Sequence, residues 1–287
     1  MSTARFRCPA RYRGDANLRL SDRYHPNPVR ELTLDPVAAN TSGFLYRSPE
    51  LYDSIYRYDE TAIRLTRLCH EQLVRNGKNP PSSVLDLGCG TAYKLAYLHE
   101  IGYQCTGIDY VEATVSHARR EHPGIRFEAG DIRDVRIDQK YDVILCLGWV
   151  LENVHSCADI SRVMATFAVH ANPGALLVLG THNPIGDLAA LGAKSSFTIE
   201  REDFRATGHA SFTVNRRHQI LTRHLTWSLP GDATEEEVTR YRLFFPMELE
   251  FYLTSYGFGN VEMFDNMDLA SSNLEGSMLY VTATSQG

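Results

Sequence analysis

Between Ser83 and Leu179 short apolar runs alternate with amphipathic stretches, and this rhythm narrows the choice of fold more than any other feature of the chain. The runs are Ser83–Leu87, Gln104–Ile108, Ile125–Glu128, Tyr141–Leu147 and Ala175–Leu179. Between them lie Ala92–Ile101, Glu112–His122 and Ile160–His170, the last with Ile160, Val163, Met164 and Phe167 on one helical face. Strands rich in Val, Ile and Leu, joined by amphipathic helices, predict a parallel sheet covered on both sides. A helix over 59–75 precedes the series. Asn76-Gly77 ends it, and Pro80-Pro81 blocks its restart.

After Gly180 the rhythm changes. Residues 196–229 predict antiparallel strands, with Leu221, Leu225, Trp227 and Leu229 set among polar His224, Thr226 and Ser228. A helix at Pro246–Tyr256 has Pro in its first turn and Gly257 beyond its end. The final apolar strand is Ser277–Ala283. Residues 1–45 hold four prolines and little periodicity, so they are expected to be an irregular N-terminal extension. Residues 46–287 form the expected domain, with an insertion at about 190–245.

The net charge of −6 argues against a protein that grips nucleic acid through its phosphates. No apolar run reaches the roughly 18 residues that span a bilayer, and no secretory signal opens the chain. The six cysteines show no paired spacing and are expected to be reduced, in a cytoplasmic protein. The 11 histidines form no HExxH motif, so no metal site is expected.

The chemistry concentrates at three strand ends. Val84-Leu85-Asp86-Leu87-Gly88-Cys89-Gly90-Thr91-Ala92 runs a strand into a Gly-x-Gly turn that opens a helix. Glycine lets the chain turn sharply and leaves bare backbone against a ligand. The second strand ends in Gly107-Ile108-Asp109, whose carboxylate suits the two hydroxyls of a ribose. Gly130-Asp131-Ile132 follows the third strand and is placed to meet an adenine. A dinucleotide dehydrogenase wants a third glycine where this chain has Tyr93. A bulky side chain there disfavours a pyrophosphate.

Asp86-x-Gly88-x-Gly90, Asp109 and Gly130-Asp131 resemble the signature motifs of the class I S-adenosylmethionine methyltransferases. The resemblance implies a Rossmann-like α/β fold of seven strands, the last antiparallel, with the antiparallel β insertion after the fifth strand. It places the cofactor's methionine end against Gly88 and Gly90, its ribose on Asp109, and its adenine near Asp131 and Ile132. Asp86, Tyr110 and Leu147 count among the expected cofactor contacts.

A finer resemblance, to the aminosugar N,N-dimethyltransferases of antibiotic biosynthesis, begins at Leu51-Tyr52-Asp53-Ser54-Ile55-Tyr56 and returns at Arg240-Tyr241-Arg242-Leu243-Phe244. It implies that Tyr56 lies beside the acceptor amine, that Tyr58 contacts the cofactor, and that the inserted strands help to form a homodimer. The chain departs from that family after the fourth strand. Glu152 stands where the family has a functional histidine, with His155 three residues on, and His182 lies in the turn after the fifth strand. An acceptor amine or hydroxyl must lose a proton, and Glu152, His155 and His182 are the candidates to take it. The expected activity is methyl transfer to a small-molecule acceptor of secondary metabolism, with neither nucleic acid nor membrane as partner. A protein methyltransferase, or a cofactor-binding protein of non-methylating pericyclic or lyase chemistry, stays open because the fold alone does not fix the reaction.

Overall fold

Val84, Leu85 and Leu87 are fully buried because the strand that carries them lies at the centre of a sheet with helices on both faces. The computed structural model describes residues 35–56, 60–186, 195–201, 204–266 and 272–287. In chain order the elements are α1 (Pro36–Asn40), α2 (Phe44–Arg47), α3 (Pro49–Tyr56), α4 (Glu60–Arg75), β1 (Ser83–Leu87), α5 (Tyr93–Glu100), β2 (Gln104–Asp109), α6 (Glu112–Glu121), β3 (Arg126–Ala129) and β4 (Tyr141–Cys146). Then come α7 (Cys157–His170), β5 (Ala171–His182), β6 (Ser195–Arg201), β7 (Phe204–Asn215), β8 (Ile220–Ser228), β9 (Thr234–Arg242), α8 (Pro246–Ser255), β10 (Phe258–Phe264) and β11 (Met278–Ser285).

The main sheet has the order β10-β11-β5-β4-β1-β2-β3, and β11 runs antiparallel to both of its neighbours. Period-2 alternation sorts its side chains. Leu85, Leu87, Ile144, Cys146, Leu177 and Leu179 face α7 and α8. Val84, Val143, Leu145, Leu176 and Val178 face α4, α5 and α6. Asp86 shares the face of Val84, and this buried charged residue within an apolar strand is the first mark of a site.

The second sheet, β6-β7-β8-β9, is antiparallel throughout. Its apolar face carries Ala206, Ala210, Leu225 and Trp227, packed with Leu45 of α2 and Leu51 of α3. The sheet extends beyond the expected 196–229 because β9 pairs along β8 from Thr234 to Arg242. Its run Glu235-Glu236-Glu237 pairs with Trp227, Thr226 and Leu225, so cross-strand pairing overrides the low strand preference of glutamate. The edge strand β10 is also an addition, with Asn260 and Glu262 exposed and Val261 and Met263 packed against the core.

Within residues 1–45, expected to be irregular, Pro36–Asn40 form α1 and Phe44 opens α2. Asp35 caps α1 by accepting from the Val37 N–H at 2.9 Å, and Pro36 sits in the first turn. Helices of five and four residues are too short to show a period. Cys69, Cys89, Cys105 and Cys146 are buried free thiols, and Cys157 is exposed and free; Cys8 lies outside the described residues. No helix among the described residues is long and apolar enough to cross a membrane.

Candidate functional site

At the carboxyl end of β1 the backbone turns through Gly88 (φ +85°) and Gly90 (φ +57°). The N–H groups of Gly88 and Cys89 both donate to the Ile108 carbonyl, at 2.7 and 2.9 Å, which fastens the turn to β2. A Cβ on Gly88 would stand 2.3 Å from the Val150 side chain, so only glycine lets the turn after β4 close on it. A Cβ on Gly90 would meet nothing within 4 Å, so that stretch of backbone faces open space. Asp109 ends β2. It accepts from the Gly90 N–H and the Val111 N–H, each at 2.9 Å. Burial pushes its carboxyl up, against the pull of those two donors.

Two adjoining clefts, of about 540 and 620 Å³, open here and share Tyr46, Gly88, Asp109, Gly148 and Val150. Tyr110, Asp131 and Ile132 line the first, and Cys89, Gly90 and Leu147 the second. They lie at the carboxyl ends of parallel strands, where open α/β sheets bind ligands. Asp131 is held by Arg133, whose Nε lies 3.0 and 2.9 Å from the two carboxylate oxygens. The same guanidinium reaches Asp35 at 2.7 Å and so ties α1 to this wall.

Several lining residues escape sequence reasoning: Val37, Thr41, Leu45 and Tyr46 from α1, α2 and the link between them, Tyr52 of α3, and Lys94 of α5. The Asp35-Pro36 pair is a helix-start signal that would have flagged α1. Nothing local would have brought it over β1.

The turn after β4 supplies the second group of candidates. Gly148 (φ +76°) and Trp149 (φ +65°) are both left-handed, a strained arrangement for tryptophan that leaves it 41% exposed. Glu152, in the same turn, is fully buried. One carboxylate oxygen accepts from the His182 backbone N–H, and the other lies 2.8 Å from His182 Nδ1. The imidazole stacks on Trp149, with centroids 5.0 Å apart and planes 6° from parallel. Tyr241 of β9 meets it edge-on at 5.8 Å.

His155 is placed elsewhere. Its Nε2 lies 2.9 Å from the Arg240 carbonyl, and burial holds its pKa below the ordinary value. It joins the turn to β9 and, like Glu152 and His182, is not among the residues that line the two clefts. Tyr56 closes α3. Tyr58 lies outside the described residues.

The residues fit an adenosine carrying an amino acid. Asp109 offers a carboxylate for the ribose, Gly90 offers uncovered backbone, and both oxygens of buried Asp86 lack a hydrogen-bond donor among the described residues. Residues 84–174 match a methyltransferase domain family. A dTDP-3-amino-3,4,6-trideoxy-alpha-D-glucopyranose N,N-dimethyltransferase of Streptomyces venezuelae is 26% identical over 64% of this chain and 78% of its own. A dTDP-4-amino-2,3,4,6-tetradeoxy-D-glucose N,N-dimethyltransferase of Saccharopolyspora spinosa is 29% identical over 50% of this chain, a match that spans 58% of that relative. Among solved structures, an S-adenosylmethionine-dependent methyltransferase from Clostridium acetobutylicum superposes with a TM-score of 0.71 at 16% identity, covering 83% of this chain and 97% of its own. A SAM-bound amino pentose methyltransferase from Micromonospora echinaspora gives 0.66 at 20% identity, over 81% and 96%. At these identities the structures speak for the fold, while the domain match and the curated relatives speak for the chemistry. The chain is an S-adenosylmethionine-dependent methyltransferase, similar to the aminosugar N,N-dimethyltransferases.

Proposed function

We propose that this enzyme methylates an amine or hydroxyl of a small, ring-shaped intermediate of secondary metabolism. The observation that carries the reading is the Glu152–His182 pair against Trp149, at the strand ends beside the cofactor clefts. The bound cofactor supplies an electrophilic methyl group on sulfur. The protein's task is to align the acceptor, exclude water and remove a proton.

Glu152 is too buried to meet an acceptor itself. With both of its oxygens engaged by His182, it fixes the ring's orientation and stabilises the imidazolium. Nδ1 is committed to Glu152, so a proton leaving the acceptor is taken at Nε2. The exposed face of Trp149 suits the flat C–H side of a sugar ring. The named acceptors of the curated relatives, amino sugars carried on dTDP, are therefore the first compounds to try.

The test is a mass-spectrometric screen of dTDP-linked amino and hydroxy sugars, run with wild type and two variants. A product heavier by one or two methyl groups is expected with wild type. His182→Ala should lower kcat by about 10²-fold or more, and Glu152→Gln by a similar order, with S-adenosylhomocysteine affinity kept. Wild-type turnover in both variants would remove the pair from the mechanism. Methylation of a peptide panel in place of the sugars would overturn the substrate class.

A further inference from the structure

Two opposite charges are buried beneath the glycine turn, and the proton-transfer chemistry uses neither. Asp86 is fully buried on the α5 side of β1. Lys94, the second residue of α5, is 7% exposed. Its Nζ lies 4.7 Å from the centre of the Tyr93 ring, and no hydrogen bond or ion pair engages it among the described residues. An ammonium largely withdrawn from water, with no hydrogen-bonding partner in the fold, is costly unless an anion compensates it. Burial pulls the Lys94 pKa down, but the Asp86 carboxylate and the other acidic groups around it hold the pKa above the ordinary value. The side chain is therefore charged while buried.

Its position says what the charge is for. Lys94 lines the cleft with Gly88, Cys89, Gly90 and Thr91, and it is the one cationic side chain among the described residues that line either cleft. The first turn of α5 adds backbone donors. Ala92, its cap, is left-handed (φ +67°) and makes no side-chain capping bond. A cation beside a helix start whose N–H groups lack a side-chain cap is an anion receptor. The anion must belong to a ligand with adenosine at its other end, because Asp109 and Asp131 repel a negative group further along.

We propose that Lys94 anchors the α-carboxylate of the cofactor's amino-acid end, and so makes the site select S-adenosylmethionine and S-adenosylhomocysteine over nucleosides without that end. Asp86 acts through Lys94, keeping it charged in the buried setting. The inference rests on the cofactor site as assigned above.

The experiment is calorimetry on the full chain with S-adenosylhomocysteine and with 5′-methylthioadenosine, which keeps the nucleoside and lacks the amino acid. Lys94→Met should lose about ten- to hundredfold in affinity for the first compound and leave the second within twofold. Lys94→Arg should restore part of the loss. Equal losses for both compounds, or none, overturn the proposal. If Lys94→Met does not fold, the same deletion is made on the ligand. The descarboxy analogue of S-adenosylhomocysteine should then bind wild type about ten- to hundredfold more weakly, and equal affinity overturns the proposal. Wild type that binds 5′-methylthioadenosine but not S-adenosylhomocysteine refutes Lys94 alone, whereas binding of neither refutes the cofactor site as well.

Discussion

Two histidines of the same sequence region end in different environments, and the residue scale explains why. His182 has a carboxylate partner, an aromatic face and partial exposure. His155 has a backbone carbonyl and burial, with its pKa held down by burial first and by Arg240 and Arg242 as further causes. A base whose folded pKa is lowered binds its proton more readily in the unfolded chain. Its contribution to stability is therefore intact above the ordinary value of about 6.5 and is lost as pH falls through it. Between pH 7.5 and 5.5 the wild-type melting temperature should fall, and His155→Ala should fall less steeply from a start a few degrees lower, on the order of 5 °C. Its kcat should stay within about threefold, since no role in proton transfer is lost. Lost turnover at an unchanged melting temperature would place His155 in the site.

At the scale of elements the decisive piece is α1. Its last residue, Asn40, treats the backbone of Arg240 as a strand partner: Nδ2 donates to the Arg240 carbonyl at 2.6 Å, and Oδ1 accepts from the Arg240 N–H at 2.9 Å. The same amide donates to Asn153 Oδ1, in the turn after β4, at 2.7 Å. Asp35, at the other end of α1, binds Arg133. A five-residue helix cannot hold itself in water, so these contacts and buried Val37 keep it over the cleft. Asn40→Ala removes three hydrogen bonds, takes the Asn40 partner from the Arg240 N–H and leaves the Arg240 carbonyl to His155, a loss of about 2–3 kcal/mol. Limited proteolysis should then cut within residues 35–47 faster than in wild type, and S-adenosylhomocysteine should bind more weakly. An unchanged cleavage rate would mean that α1 is held by other means.

For the whole molecule, ligand binding and stability are one equilibrium. A ligand that binds only the folded chain raises the melting temperature, and the rise grows with its concentration. S-adenosylhomocysteine should do this, and NADH and ATP should not. In Asp109→Ala the rise should vanish, because the carboxylate that ends β2 in the cleft is gone. A larger shift with NADH, or an undiminished shift in the variant, would reopen the reading of the glycine turn.

The sequence by itself determined the parallel sheet, the turn at Gly88–Gly90 and the carboxylate at Asp109. Each is written in residues a few positions apart: a period of 2 or 3.6, or paired glycines and an aspartate where a strand ends. It also supplied Glu152 and His182 as separate candidates. Their union across 30 residues, and that of Asn40 with Arg240 across 200, arise only when distant strands and helices meet. No local pattern encodes such a meeting, so the tertiary structure alone decided which histidine is paired with a buried carboxylate. It also decided that α1 lies over the cleft and that Lys94 is charged but buried. For each the reason is the same: the partner that sets the side chain's environment comes from elsewhere in the fold.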